Sequence, residues 1–351
     1  MTNNMFSLSK TEHKDEPVLS FLEKNGGNHA SHLILLRDKE LFWAVDEKVL
    51  IAYKKIANKL VVLGDPIGDE TYIVDAIKEF HEYCDELRLT PVFYQITAKY
   101  MHYFHETGFS FMKLGEEGIV DVKNFSLAGK QGAKLRTKFN KFTRENFHFR
   151  VITPPYSHSL LAELRAISEE WLGDQKEKGF SVVSFSEEYV SSYPVALLTN
   201  AEGRVVAFAT LATDYKDTVT IDLMRKSTSS SYGTMDVLFI HVFQWVKEHG
   251  YQYCSLGMAP LANVGQTKYS ITSEKWIRFI FLHGNTLYKF KGLQEFKGKF
   301  TSSWEPKYLA YKKSPLILVI IQLILLINQP PLSTKTKEVV GKLKYLIKKA
   351  V

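Results

Sequence analysis

Two periods of apolar and polar residues recur along this chain. His32 to Leu36, Leu41 to Val45 and Val49 to Ile56 are short apolar stretches between polar turns, and they predict strands. Leu60-Val61-Val62-Leu63 is apolar throughout and is closed by Gly64-Asp65-Pro66-Ile67-Gly68, which predicts a buried strand ending in a tight turn. From Thr71 to Leu87 the period lengthens. Ile73, Ala76, Ile77, Phe80 and Cys84 fall on one face of a helix. A helix over Pro17 to Lys24 precedes these elements. A strand at Pro91 to Ile96, an aromatic helix at Tyr100 to Glu106 and a strand at Ser110 to Leu114 follow them. The second half repeats the order: a helix at Ser157 to Leu172, strands at 195–198, 205–212 and 219–224, a helix at 234–249 and a strand at 253–256. Glu274 to Leu282 reads as helix, and Leu309 to Tyr311 as a last short strand. No residue repeat links the halves. Element order alone predicts two copies of one α/β unit, an α+β fold with mixed sheets. The implied divisions are 1–126, a linker at 127–150, 151–312 and a tail at 313–351.

The linker changes the picture most. Between Lys130 and Arg150 basic residues stand at 130, 134, 136, 138, 141, 144 and 150, against the single acid Glu145. Leu135, Phe139 and Phe142 share one helix face, and Lys134, Lys138 and Lys141 share the neighbouring one. Like charges so close repel one another, so a counter-charge is expected, and nucleic-acid or lipid phosphate would supply it. The alternative is a solvated linker helix. The tail has a second such combination. Leu316 to Ile327 is apolar except for Gln322, and lysines follow at 335, 337, 342, 344, 348 and 349. A bilayer span needs about 20 apolar residues. This run is shorter, so it predicts a core helix, a partner-docking helix or a segment lying on an anionic membrane surface, with a solvated basic tail as the alternative for the lysines.

Composition supports real cores: 351 residues, 45% hydrophobic and 13% aromatic, with a formal charge of +7. The basic excess suits an anionic partner. Cys84 and Cys254 lie far apart inside regular segments, which fits a reducing compartment and no disulfide framework. Met1 to Pro17 is polar and lacks the apolar core of a signal peptide. No metal-ligand spacing, nucleophile elbow or phosphate-binding glycine loop occurs, so no metal is expected.

The chemistry concentrates at 219–261. Asp222 and Arg225 end a predicted strand, a Ser-rich turn follows, and a helix opens at Gly233 or Thr234. Free N–H groups at a helix N-terminus favour an anion or a carbonyl oxygen. Further charges stand at Glu116 and Glu117, after the strand at 110–114, and at Lys289, Lys291, Lys297, Lys299 and Glu305, beside Trp304.

Two half-sheets with such a helix resemble acyltransferases of the GNAT type that bind acyl-coenzyme A. Those carry Arg-x-x-Gly-x-Gly before the helix. Arg225 to Gly233 holds a single glycine, so the pyrophosphate cradle is degraded. A closer resemblance rests on an ordered set: Leu63-Gly64-Asp65-Pro66, Lys113-Leu114-Gly115-Glu116-Glu117, Glu170-Trp171-Leu172 with Lys178-Gly179-Phe180, Asp222-Leu223-Met224-Arg225, Gly233-Thr234-Met235-Asp236, Leu256-Gly257-Met258-Ala259-Pro260-Leu261, Tyr288-Lys289-Phe290-Lys291-Gly292-Leu293, Phe296-Lys297-Gly298-Lys299-Phe300 and Trp304-Glu305-Pro306-Lys307-Tyr308-Leu309-Ala310. This set resembles the C-terminal cytoplasmic catalytic domain of the aminoacyl-phosphatidylglycerol synthases, the lysyl-phosphatidylglycerol synthase or multiple peptide resistance factor (MprF) family.

The resemblance implies tandem acyltransferase-like (GNAT-type) units joined by a basic helix, and no cofactor. It implies transfer of an amino acid, lysine first, from aminoacyl-tRNA to the glycerol hydroxyl of phosphatidylglycerol at the cytoplasmic face of the bacterial membrane. Such lipids carry less negative charge and confer resistance to cationic antimicrobial peptides. A membrane-spanning flippase domain, separate or removed, is an expected partner. Asp222 is then placed between the halves as amine clamp or base, with Arg225 and the N–H groups near Gly233 at a phosphate or the oxyanion. Glu116 or Glu117 faces a cationic side chain. Met258, Trp304 and Glu305 line the substrate, and Lys297, Lys299, Lys134, Arg136, Lys138 and Lys141 hold phosphates. The alternatives are an N-acyltransferase of the same fold, using aminoacyl-tRNA or acyl-coenzyme A, and a non-catalytic lipid- or tRNA-binding module.

Overall fold

The computed structural model describes residues 15–130, 132–265 and 288–329. The helix read at 274–282 and the lysines from 335 onward lie outside these residues. After helix α1 (Glu16–Asn25) come strands β1 (Glu40–Ala44), β2 (Val49–Ile56), β3 (Lys59–Leu63) and the short β4 (Ile67–Gly68). Helix α2 (Ile73–Glu86), β5 (Thr90–Ile96), α3 (Met101–Glu106) and β6 (Ser110–Asp121) complete the first half. Helix α2 buries Ile73, Ala76, Ile77, Phe80 and Cys84, the stripe that its period predicts.

The basic helix α4 (Ala133–Arg144) leads into β7 (His148–Ile152), a strand absent from the sequence reading. Then follow α5 (His158–Leu172), the short α6 (Glu187–Val190), β8 (Val195–Thr199), β9 (Val205–Thr213), β10 (Thr218–Lys226), α7 (Thr234–Glu248) and β11 (Tyr253–Pro260). Helix α8 (Tyr288–Gly298), β12 (Ser303–Tyr311) and α9 (Leu316–Ile327) finish the described chain.

Among the described residues twelve strands form one mixed sheet, in the order β1-β2-β3-β5-β12-β6-β11-β10-β9-β8-β7, with β4 on β2. The two units do not keep separate sheets. β12, from the second half, lies between β5 and β6, while β6, from the first, pairs β12 and β11. One hydrophobic core accordingly draws Leu33, Tyr94, Leu164, Leu223, Leu309 and Leu323 from both halves.

Three local readings are corrected. The run at 32–36 is a 3-10 turn (Ser31–Leu36), not a strand. Asn28 directs it: its Oδ1 accepts from the Ala30 N–H at 2.8 Å, and its own N–H donates to Ser31 Oγ at 2.7 Å. Such local side-chain bonds compete with strand pairing, and a fully buried apolar run has no period to reveal the outcome. β6 continues beyond Leu114 to Asp121, so Glu116 and Glu117 lie inside a strand rather than after one. β12 starts at Ser303, so Trp304 and Glu305 are also strand residues. Glu117 fits a strand interior because Lys307 of β12 and Ser255 of β11 pair it there, partners remote in sequence.

Helix α9 buries Val319, Gln322, Leu323 and Leu326 against the core and turns Ile317, Leu318, Ile321, Ile324 and Leu325 outward. Among the described residues no helix is long and apolar enough to cross a membrane.

Candidate active site where two strands part

β10 and β11 run parallel but pair at only three rungs, Thr218 with Tyr253, Val219 with Cys254 and Thr220 with Ser255. Beyond them β10 is irregular between Ile221 and Met224, and β11 between Ser255 and Met258. A bulge bends its strand and breaks the ladder. Gly257 adopts φ +70°, which a side chain would disfavour, and this lets β11 turn away. The gap leaves main-chain polar groups free to meet other partners.

Asp222 lies within the β10 irregularity. Tyr189 Oη donates to its Oδ2, and His32 Nε2 stands 3.5 Å from Oδ1. Tyr193 Oη donates to the His32 carbonyl at 3.0 Å, so the turn before β1 is tied to the α6 segment. Lys297, from α8, completes the gap. Its buried Nζ donates to the carbonyls of Gly257 and Met258, at 3.0 Å each. Burial lowers the Lys297 ammonium to about 8, against the pull of Glu117 and Asp222. Lys39 is likewise lowered to about 8 by burial, although Asp38 pairs it at 2.7 Å.

A cleft of about 360 Å³ reaches the last paired rung, with Thr220 and Ser255 in its wall. Glu117 forms its floor, buried and held by Lys307 Nζ at 2.7 Å and Ser255 Oγ at 2.5 Å. Burial alone would raise the Glu117 carboxyl; the charges of His29 and Lys307 and these hydrogen bonds bring it down to about 2. His29 also lines the cleft. Burial, with Lys307 beside it, lowers its imidazole to about 3.

The structure brings Asp222, Lys297, Met258 and Glu117 to this centre, with Glu305 at the cleft wall and its Oε2 3.5 Å from Lys307 Nζ. Trp304 is half-buried, opposite Gly118 in the β12–β6 ladder. The other predicted residues stand elsewhere. Arg225 is buried on α5: its Nε donates to Ser168 Oγ at 3.2 Å, its Nη2 pairs Glu177 at 3.2 Å, and its guanidinium stacks on Trp171. Glu116 accepts from Lys113 Nζ at 2.5 Å and from Asn263 Nδ2. Both glutamates therefore already have cationic partners in the protein.

At the start of α7, Asp236 is clamped by Lys138 from α4 and by Lys299 at 2.9 Å. A Cβ at Gly233 would stand 3.0 Å from Lys138 Cδ, so the lysine stem fills the space before this helix. Part of the counter-charge expected for the basic helix is thus internal. Lys141 pairs Glu145 at 3.7 Å, and Arg136 Nη1 donates to the Leu127 carbonyl at 2.5 Å; Lys134 is exposed.

Sequence reading missed Tyr189, His32, His29, Ser255 and Lys307. Lys307 had a usable signal, because it stands two residues from Glu305 and so on the same strand face. Tyr189 and His32 had none, since tertiary packing alone joins them to Asp222.

The family described as "Phosphatidylglycerol lysyltransferase, C-terminal" matches residues 19–311. A phosphatidylglycerol lysyltransferase of Bacillus subtilis is 42% identical over 310 residues, which cover 88% of this chain and 36% of the relative. The chain thus spans little more than a third of that protein. The solved structure of L-PGS from Bacillus licheniformis superposes with a TM-score of 0.81 and 43% identity, over 91% of this chain and 98% of that one. The C-terminal domain (DUF2156) of a protein described as a lysylphosphatidylglycerol synthetase, from Agrobacterium fabrum, gives 0.78 and 31%, over 90% and 96%. Matches of this extent, on a fold with parted strands and a buried acid–lysine centre, make this chain a member of the phosphatidylglycerol lysyltransferase C-terminal family.

Proposed function

We propose that this chain moves a lysyl group from lysyl-tRNA to the glycerol hydroxyl of phosphatidylglycerol, at the cytoplasmic surface of the bacterial membrane. The family match over 19–311 carries the reading. The reaction exchanges one ester for another, so it needs no ATP; its barrier is lowered by orientation and by oxyanion stabilisation. Asp222, oriented by Tyr189 and His32, holds the α-ammonium of the lysyl group. Lys297, beside the Gly257 and Met258 carbonyls, supplies positive charge to the developing oxyanion. Arg225 fixes β10 to α5 and acts on the site only by holding Asp222 in register.

Lys134 and the outer face of α4 meet tRNA phosphate. The apolar outer face of α9, followed in sequence by six lysines at 335–349, rests on anionic lipid, and a flippase domain elsewhere in a longer protein would receive the product. Lower membrane negative charge and resistance to cationic peptides are the physiological result. The filled space before α7 disfavours an acyl-coenzyme A donor, because the Lys138 stem and Asp236 stand where a pyrophosphate would need the helix N-terminus. The deciding assay incubates the protein with phosphatidylglycerol vesicles and tRNA charged with lysine, alanine or arginine. Lysyl-lipid above the other two is expected. Absence of any aminoacylated lipid sinks the reading, and a dominant alanyl product sinks the lysine assignment.

A further inference from the structure

Tyr232 is the most exposed large hydrophobic side chain among the described residues, at 85%. It stands in the turn between β10 and α7, and the turn is held on both sides of it. The Ser230 N–H donates to the Ser227 carbonyl at 3.1 Å, and the Thr234 N–H and hydroxyl donate to the Ser231 carbonyl at 3.2 and 2.7 Å. Lys138 of α4 lies over the ring, its Nζ 4.5 Å from the centroid. Gly233 permits this, because a Cβ there would stand 3.0 Å from Lys138 Cδ. The cation steadies the ring, most of which stays open to solvent.

An open aromatic ring suits an unpaired nucleic-acid base or the interface of a membrane. The surroundings favour the base. Ser229, Ser230, Ser231 and Gly233 flank Tyr232 and give a bilayer no apolar group to hold, whereas Ile317, Leu318, Ile321, Ile324 and Leu325 gather on α9. The charge beside the ring is positive. Lys138 and Lys299 share one carboxylate, Asp236, and Lys134, one helical turn before Lys138, is exposed. At the far end of the turn Glu170 is bound by Ser227 and Thr228, with the charge of Lys226 beside it. Lys226 Nζ in turn donates to Ser230 Oγ at 3.2 Å. Single strands are held by this combination, in which cations track the phosphates and the ring takes a base.

The ring is also joined to the acyl centre. Lys297 meets the Gly257 and Met258 carbonyls where the strands part. Lys299, just beyond it in sequence, donates to Asp236 Oδ1 at 2.9 Å, and Asp236 Oδ2 pairs Lys138. The aminoacyl ester of a charged tRNA sits on its unpaired 3′ end, and unpaired bases are the ones with a face free to stack. We infer that Tyr232 is a stacking platform for a base of that 3′ end, with Lys138 as its brace. The inference rests on the proposal that aminoacyl-tRNA is the donor.

The test measures tRNA binding by the full chain over a range of salt, for the parent, Tyr232→Ala and Tyr232→Trp. Tyr232→Ala is expected to lose about 10-fold in affinity at every salt concentration, with an unchanged salt slope and melting temperature, because stacking releases no counterions. Tyr232→Trp keeps affinity within about twofold. On tRNA trimmed of its unpaired 3′ nucleotides, the parent and Tyr232→Ala bind alike. In lysylation the loss lies in KM for lysyl-tRNA, and kcat is kept. A folded Tyr232→Ala that binds within about twofold of the parent overturns the inference. An equal loss on trimmed tRNA, or a loss that vanishes at high salt, does so too. Normal tRNA binding with weaker binding to anionic vesicles also overturns it and makes the ring a lipid contact. If Tyr232→Ala does not fold, Tyr232→Leu is judged by the same limits. A parent that binds tRNA through Tyr232 yet lysylates no lipid brings down the transferase reading and leaves the platform standing, so the two failures are distinct.

Discussion

Among the described residues each half of this protein has one pair of parallel strands, and the two pairs end differently. β3 and β5 pair over all five residues of β3, from Lys59 with Thr90 to Leu63 with Tyr94. The zip continues past them: the Gly64 N–H donates to the Tyr94 carbonyl at 2.8 Å, and Asp65 accepts from the Thr97 N–H and from its hydroxyl, the latter at 2.7 Å. β10 and β11 stop after three rungs. One acid closes its pair by bonding the neighbouring backbone. The other, Asp222, is turned toward Tyr189 and His32, and its strands stay apart. The same arrangement therefore serves as scaffold in the first half and as a site in the second, and the partner of a single carboxylate marks the difference.

Exchanging Asp for Asn in each pair breaks that comparison most directly. Asp222→Asn is expected to lower lipid lysylation by about 10²–10³-fold with little change in melting. Asp65→Asn is expected to keep activity within about threefold and to cost roughly 1–2 kcal/mol in urea unfolding. Equal losses of activity in the two variants would erase the distinction between scaffold and site.

Glu117 tests the seam between the halves. Glu117→Gln leaves the buried Lys307 with only the exposed Glu305, at 3.5 Å, as counter-charge and should cost about 3 kcal/mol. The folded carboxyl is held down at about 2, below its ordinary 4.5, so its stabilisation is complete above 4.5 and is lost as pH falls toward 2. Urea midpoints at about pH 5 and pH 3 should therefore converge between parent and variant as the acid limit is approached. A constant gap contradicts the assignment.

Lys297 sharpens the comparison on the open side. Its folded ammonium titrates near 8, so an oxyanion role predicts a turnover that declines as pH rises through about 8. Lys297→Arg should flatten the decline, since arginine stays charged. A parental profile that is flat to about pH 9 would remove Lys297 from the chemistry. The smallest effect expected is that of Lys134→Ala, a weakening of tRNA binding by about 0.5 kcal/mol that disappears at high salt.

Much of the scaffold was legible in the sequence because its signals are local. The stripe from Ile73 to Cys84 dictated α2, and the motifs around Asp222 and Lys297 pointed to the centre they form. What failed was set by partners distant in the chain. Glu116 and Glu117 stand inside β6 rather than after a strand, because Asn263 bonds the first and Lys307 of β12 neutralises the second. The run at 32–36 failed for a local reason, because Asn28 and Ser31 outcompeted strand pairing over four consecutive apolar residues. Lys138 and Lys299 looked available to phosphate, but Asp236, 98 and 63 residues away, pairs both. His29 offered no pattern at all, since tertiary packing alone buries it beside Glu117 and Lys307.

The exchanged strands have a consequence for how the protein is made. β6 is synthesised early, yet both of its ladder partners, β11 and β12, lie in the second half. A growing chain therefore carries a twelve-residue strand with no ladder partner until β11 emerges, and one edge of it, like the facing edge of β5, stays open until residues near 311 have left the ribosome. Such edges invite association with other chains, and pairings this distant in sequence form slowly. Nascent chains stopped before β12 should therefore need a chaperone that covers strand edges, and the final strand should act as the latch that ends this dependence.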